Sequence, residues 1–194
     1  MQLCALRIGT TLNFTDLASN CGISVNTAKG WLALLETSFI LFLLPSYHNN
    51  LGKRITKSPK LYFYDVGLAA ALMGVNQEGI TKKRELYGAL FENMIVVDLK
   101  KRFNAHGVHY SLTFFRDSAQ NEIDLIIEIG GQTIPLEIKA SETMNNAFFD
   151  RLSWFQKQTN NQNMPVVVYG GNQLQKRSQG IVVPWTKLEH VCAT

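Results

Sequence analysis

The sequence has few of the residues that hold a small secreted protein together. Its three cysteines, at positions 4, 21 and 192, are odd in number and widely spaced. They suggest neither a disulfide framework nor a zinc site, so a reducing cytosol is the expected compartment. The chain begins without the apolar core of a signal peptide. Its most apolar stretch, from Trp31 to Leu44, is interrupted by polar residues and is too short to cross a bilayer.

Charge is also modest. Charged residues make up 18% and hydrophobic residues 46% of the 194 residues, which indicates an ordinary globular protein. A net charge of +4 permits a nucleic-acid partner without requiring one. The length suits one large or two small domains. The polar, turn-like sequence VNQEGITKK, at residues 75–83, predicts a domain boundary. We therefore expect domains at 1–76 and 77–194.

The first third of the chain has the pattern of a helix-turn-helix. Gly22 would form the turn, and Ser24 would cap a second helix from Val25 to about Glu36. Two apolar runs, at 39–44 and 61–64, predict a strand pair and hence a winged helix. A helix that reads a DNA groove carries exposed polar side chains near its N-terminus, and here Asn26 and Lys29 qualify.

The loop between those two strands is cationic. No acidic residue occurs between Glu36 and Asp65, whereas four cations do: Lys53, Arg54, Lys57 and Lys60. On an exposed wing they would lie along nucleic-acid phosphates, adding affinity without sequence information. Two other interpretations stay open, a solvated loop and a docking surface for another domain.

The remainder predicts an α/β (α+β) domain with a mixed sheet. A long helix from Arg84 to about Phe103 precedes a strand at 109–115 and a hairpin at 121–141. An amphipathic helix at 145–158 and strands at 166–169 and 181–185 follow.

The hairpin carries the most informative pattern. If Gly130-Gly131 is its two-residue turn, Leu125 faces Leu136 and Asp124 faces Glu137. The isoleucine- and leucine-rich face of the hairpin should be buried, and Asp124 and Glu137 should lie on the opposite face. Like charges opposed across strands are destabilising. The two acids must therefore be well solvated, neutralised by bases such as Lys139, or holding a cation.

Glu92 on the long helix, Asp124, and Glu137-Ile138-Lys139 form the pattern E…D…ExK, which resembles the PD-(D/E)XK nuclease superfamily. The resemblance implies that Asp124 and Glu137 hold Mg²⁺ with the Ile138 carbonyl. It also implies that Lys139 orients water or stabilises phosphate charge, while Glu92 is a further ligand or supports the ligands. The alternative is structural, with Lys139 pairing with Glu137 or Glu122 and Glu92 pairing with Arg116.

A longer resemblance covers nearly the whole chain. The phrases KRITKSPKLYFYDVGL, GALFENMIVVDLKK and NEIDLII…LEIKA are similar to the region after the nucleotide-binding core in a prokaryotic family of AAA+/P-loop ATPases. That region is a winged helix followed by a restriction-endonuclease-like domain of unknown function. The resemblance implies an upstream ATPase domain as partner. Here Gly52-Lys53 lacks the rest of the G-x-x-x-x-G-K-[ST] motif, so no ATP site is expected in this chain.

Two functions follow as expectations. The first is an accessory module of a P-loop ATPase that binds nucleic acid or a protein partner through a nuclease-like fold, with no membrane partner. The second is a Mg²⁺-dependent DNA endonuclease or phosphodiesterase that uses Asp124, Glu137 and Lys139, with Glu92 in support. Loss of cleavage in Asp124→Ala and Lys139→Ala would favour the second.

Overall fold

The computed structural model describes residues 1–47, 57–75 and 84–192 and shows a mixed α/β protein. Its contacts divide the chain into two compact units. The first unit comprises Met1–Pro45 and Ser58–Met94, and the second comprises Ser46–Lys57 and Ile95–Thr194. The expected domain boundary, between residues 76 and 77, lies outside the described residues and stays a prediction.

The first unit opens with three helices, α1 (Gln2–Ala5), α2 (Phe14–Cys21) and α3 (Val25–Thr37). The turn between α2 and α3 is at Gly22, whose φ of 67° is left-handed and suits a residue without a Cβ. Ser24 Oγ accepts a hydrogen bond of 3.1 Å from the Thr27 N–H and so caps α3. Both predicted helices, the glycine turn and the serine cap are confirmed.

Strands β1 (Leu41–Leu44) and β2 (Lys60–Phe63) form an antiparallel pair in the first unit. Helix α4 (Val66–Leu72) follows, and the Asp65 carboxylate caps it through the N–H of Leu68. The predicted strand pair is confirmed.

Helix α5 (Arg84–His106) begins in the first unit and ends in the second. The second unit contains six strands: β3 (Tyr110–Arg116), β4 (Glu122–Ile129), β5 (Gln132–Lys139), β6 (Val166–Tyr169), β7 (Gln175–Arg177) and β8 (Gly180–Pro184). Their order in the sheet is β3-β4-β5-β6-β8-β7. β6 runs parallel to β5 and to β8, and the other pairs are antiparallel, so the predicted mixed sheet is confirmed.

Helical segments complete the second unit. A 3₁₀ turn (Asn146–Phe149) leads into α6 (Asp150–Thr159), and a second 3₁₀ turn (Trp185–Lys187) precedes α7 (Glu189–Cys192). Of the helices that the structure describes, none combines the length and the apolar character that a membrane span requires.

The hairpin of β4 and β5 has the predicted turn and register. Gly130 and Gly131 both have positive φ angles, 56° and 78°, as a two-residue hairpin turn requires. The pairs run from Ile129–Gln132 to Leu125–Leu136. The regular register ends before Asp124 and Glu137. At that point the backbone N–H of Ile138 donates to the Asp124 carboxylate instead of to the backbone of β4.

The face that carries Asp124 and Glu137 is buried around these two residues, as the isoleucine- and leucine-rich face was expected to be. Ile126 shares a face with Asp124 and Glu137 and is fully buried. It belongs to a cluster whose other members include Phe149, Leu152 and Phe155, the last two on α6. Helix α6 therefore covers the face that carries the two acids.

Candidate functional site

The candidate site forms where β4 and β5 depart from regular pairing. Asp124 Oδ2 accepts a hydrogen bond of 2.8 Å from the backbone N–H of Ile138. In a regular ladder that N–H would bond to the backbone of Ile123, so the carboxylate takes the place of a backbone carbonyl. Asp124 and Glu137 are both buried. Of the three ways to accommodate two acids, the well-solvated one is therefore excluded.

Lys139 contacts both acids. Its Nζ lies 2.5 Å from Glu137 Oε1 and 3.9 Å from Asp124 Oδ2. The two residues stand on the same face because they are two positions apart on one strand. The Lys139 side chain is 33% exposed, against 10% for Asp124 and 2% for Glu137, so it is the most accessible of the three. The pair Lys139–Glu137 is one that the structural alternative named, and Glu122 pairs instead with Arg116 at 3.4 Å.

The surroundings of Glu137 change its proton affinity. Burial, and after it the negative charge of Asp124, raises the pKa of Glu137 to about 8, although Lys139 and Arg151 act against this shift. Burial disfavours the charge on Lys139, but Asp124 and the hydrogen-bonded Glu137 outweigh it, so the pKa of Lys139 is raised. The cluster therefore holds protons tightly near neutral pH, and a bound cation would compete with the proton on Glu137.

One oxygen of the cluster lacks a partner. Within the described part of the chain, Glu137 Oε2 is buried and makes no hydrogen bond. A buried polar atom left unsatisfied costs on the order of 1–3 kcal/mol. A divalent cation with oxygen ligands would satisfy that atom and offset the repulsion between the acids.

The donor set fits Mg²⁺ rather than a softer metal. In residues 1–47, 57–75 and 84–192, no group of three or more His, Cys, Asp and Glu side chains is placed to hold a metal ion. Mg²⁺ is commonly held by only one or two carboxylates, with water and phosphate as its other ligands. Asp124 and Glu137 provide two, and the Ile138 carbonyl lies between Glu137 and Lys139 in sequence.

Glu92 is found in the first unit with two other polar side chains. Its Oε1 accepts hydrogen bonds from Tyr62 OH at 2.6 Å and from Lys60 Nζ at 3.1 Å. Gly9 lies against the same carboxylate, since a Cβ there would be 3.3 Å from Oε1. The structural alternative had paired Glu92 with Arg116, and the described partner is Lys60. A supporting role for Glu92 in catalysis stays a prediction.

The six candidate nucleic-acid contacts fall into different environments. Lys53 and Arg54 lie outside the described residues. Asn26, Lys29 and Lys57 are exposed. Lys60 is not exposed: its side chain is 1% accessible and bonded to Glu92, so phosphate contact would require it to leave that partner.

Arg151 is a charged neighbour that the sequence did not reveal. It lies on α6, is exposed, and lowers the pKa of Glu137 through its charge. The amphipathic pattern of 145–158 predicted the helix, but which turn of it passes over Glu137 depends on tertiary packing. No sequence signal would have found this electrostatic interaction.

The second unit is thus a mixed α/β fold with two carboxylates and one lysine gathered at the middle of its sheet. A family model described as a domain of unknown function, DUF4143, matches residues 87–188. This match covers more than half of the chain, which therefore belongs to the DUF4143 family. A second domain of unknown function, DUF8612, matches residues 1–79.

Two curated relatives are similar to this chain. They are the uncharacterized proteins Rv2008c of Mycobacterium tuberculosis (strain ATCC 25618 / H37Rv) and Mb2031c of Mycobacterium bovis (strain ATCC BAA-935 / AF2122/97). Each is 27% identical over 135 residues, which is 70% of this chain and 30% of the relative. The matched region is therefore less than a third of the length of these relatives.

Proposed function

We propose that this chain is the accessory module of a cytosolic P-loop ATPase, and that its second unit binds DNA phosphodiesters through a nuclease-like, Mg²⁺-dependent site. The observation that carries the proposal is the buried Glu137, whose Oε2 has no partner among the described residues and which lies beside Asp124. A desolvated acid pair of this kind is costly as a purely structural feature.

The order of elements supports a nuclease-like second unit. Helix α5, strands β3 to β5, helix α6 and strand β6 follow one another as in the PD-(D/E)XK pattern. The E-x-K strand, β5, lies inside the sheet between β4 and β6. In the first unit, α2, α3 and the pair β1–β2 have the order of a winged helix.

Each side chain of the cluster would have a distinct task. Asp124 and Glu137 would hold Mg²⁺, which when bound neutralises charge developing on the phosphate. Lys139 would turn from Glu137 toward the phosphate or the attacking water, since its side chain is the most exposed of the three. Asp124 would at the same time keep the Ile138 peptide in place through the bond to its N–H.

A DNA cleavage assay tests whether the proposed Mg²⁺ site also cleaves the phosphodiester that it binds. We expect the purified chain to cleave DNA with Mg²⁺ or Mn²⁺, and expect Asp124→Ala and Lys139→Ala to reduce the rate by about 10²-fold or more. Asp150→Ala and Lys157→Ala are matched controls, because both residues are exposed on α6. Cleavage that persists in both site variants would refute the assignment.

The proposed association with an ATPase rests on a resemblance of this sequence and on the length of the curated relatives. The phrases KRITKSPKLYFYDVGL and GALFENMIVVDLKK are similar to the region that follows a P-loop core. The curated relatives are long enough to contain such a core besides the matched region. The ATPase domain would then be the covalent partner of this module.

A second candidate function is docking without catalysis. It is favoured by the surface of α3, where Trp31 and Leu34 are 55% and 65% exposed. Exposed apolar side chains on a helix suit a protein partner better than a DNA groove. Under this alternative, DNA binding would be weak, and neutralising Lys53, Arg54 and Lys57 would not reduce its dependence on salt.

A further inference from the structure

A polar cavity of about 460 Å³ lies in the second unit, next to the segment that leaves strand β5. Its volume is within the range of small-ligand sites. The lining side chains that matter here are Ser141, Thr143, Asn145, Asn146, Phe148 and Arg177.

Arg177 is held in position by neutral side chains. Its Nη2 and Nε donate to Gln175 Oε1 at 2.7 and 3.1 Å, and its Nη1 donates to Asn146 Oδ1. Among the residues that the structure describes, no carboxylate forms an ion pair with Arg177. A guanidinium that is oriented in advance but keeps its charge is suited to bind an anion, above all phosphate.

Arg177 lies on the same face of the sheet as the acid pair. Gln175 pairs with Val182, Val182 with Val167, and Val167 with Glu137. Arg177 shares the face of Gln175, two positions away, whereas Lys176 points to the opposite face. Three strand spacings separate β7 from β5, about 14 Å, so the cavity would hold a different phosphate from the one at Glu137.

The rim of the cavity is fixed to the sheet. The N–H of Gly170 donates to the carbonyls of Lys139 and Ser141, both at 3.0 Å. A Cβ at Gly170 would lie 2.6 Å from the carbonyl oxygen of Ala140, so glycine allows this close approach. The Ser141 hydroxyl also bonds to the backbone of Thr143. The chain that carries Lys139 is thus tied to the cavity wall.

We propose that this cavity binds one nucleotide of a nucleic-acid strand, with its phosphate on Arg177 and its base against Phe148. The inference rests on the proposed function, because it identifies the substrate of the same unit as a strand that extends beyond the acid pair. Phe148 is half-buried at the cavity, and aromatic side chains that stack on bases are a common feature of strand-binding surfaces.

The test is binding of a short fluorescein-labelled oligothymidylate to the full chain in EDTA, followed by fluorescence anisotropy. Arg177→Gln should weaken binding by about tenfold or more, because it removes a charge-assisted phosphate contact. Lys176→Gln is the matched control: it removes the same charge from the neighbouring residue, and should change affinity less than about twofold. Equal losses in the two variants would overturn the proposal.

A second variant covers the case in which Arg177→Gln unfolds the protein. Phe148→Leu should weaken oligonucleotide binding while leaving competition by inorganic phosphate unchanged, since only the base contact is lost. If oligonucleotide affinity does not change in Phe148→Leu, or if the unaltered chain does not bind the probe in EDTA, the inference is wrong.

The cation site and the cavity can fail separately. Mn²⁺ binding measured without oligonucleotide, and its loss in Asp124→Asn, tests the cation site alone, whereas oligonucleotide binding in EDTA tests the cavity alone. If the unaltered chain does not bind Mn²⁺ yet shows the Arg177-dependent affinity, the proposed cation site is wrong and the nucleotide cavity stands.

Discussion

Replacing Glu137 with glutamine should stabilise the protein at alkaline pH, because it removes a carboxyl group that is charged only at a cost in the folded state. The folded-state pKa of Glu137 is about 8, against an ordinary value of 4.5. Between these values the folded protein keeps a proton that the unfolded chain has lost. The free energy of unfolding of the unaltered protein should therefore fall as pH rises from about 4.5 to about 8 and then level off.

The size of the effect follows from the pKa difference. The difference between about 8 and 4.5, at about 1.4 kcal/mol per unit, corresponds to about 5 kcal/mol as an upper limit. The pKa of about 8 already includes the attraction between Lys139 and the charged Glu137, so nothing further is subtracted for that ion pair. We expect Glu137→Gln to be more stable than the unaltered protein by up to about 5 kcal/mol at about pH 9.

The assay is urea unfolding in EDTA across this pH range, followed by tryptophan fluorescence. Trp154 reports on the second unit, because its ring centroid lies 5.8 Å from that of Phe115. Glu142→Gln is the control, since it removes an exposed carboxylate from the same unit. If the difference between Glu137→Gln and the unaltered protein is the same at about pH 5 and about pH 9, the account of Glu137 is wrong.

Three further predictions concern stability and are read from urea midpoints. Asp124→Leu should be less stable than Asp124→Asn by about 1–3 kcal/mol, because only Asn still accepts from the buried backbone N–H, and equal stabilities would contradict this. Gly170→Ala should cost about 1–3 kcal/mol, because the new Cβ would overlap the carbonyl oxygen of Ala140. Gly30→Ala should instead stabilise by about 0.5–1 kcal/mol, because the new Cβ would meet no other atom and alanine favours the helix. Lys60→Met should cost about 3 kcal/mol by breaking a buried ion pair, and the exposed Lys57→Met less than about 0.5 kcal/mol; similar costs would argue against that pair.

Local signals predicted most of the secondary structure. Gly130-Gly131 specified the hairpin turn and the register as far as Leu125–Leu136. Ser24 marked the start of α3. These predictions succeeded because a cap or a two-residue turn is formed by residues close in sequence.

Contacts between distant residues were not predictable in the same way. The alternation of β4 and β5 left open whether the face with the two acids is solvated, and α6 buries it; the sequence does not specify where that helix lies. Lys60 looked like an exposed wing residue, but its partner Glu92 is 32 positions away. Strand β7 was missed because it is short and polar, and it forms only by pairing with β8.

In the candidate site, too, features set by residues close in sequence were predicted, and features set by distant contacts were not. The residue types and spacing of E-x-K predicted that Glu137 and Lys139 share a face, and they do. The direct bond from Asp124 to the Ile138 N–H was not predicted, since it depends on a local departure from the ladder. The burial that raises the pKa of Glu137 likewise comes from packing, not from the motif.

The most direct test of the cation site is a crystal of the protein soaked in Mn²⁺ and measured for anomalous scattering. The account predicts a peak about 2.1 Å from carboxylate oxygens of Asp124 and Glu137, with the Lys139 amine displaced from Glu137. No peak at saturating Mn²⁺, with Lys139 still bonded to Glu137 Oε1, would contradict the account and leave the cluster a structural ion pair.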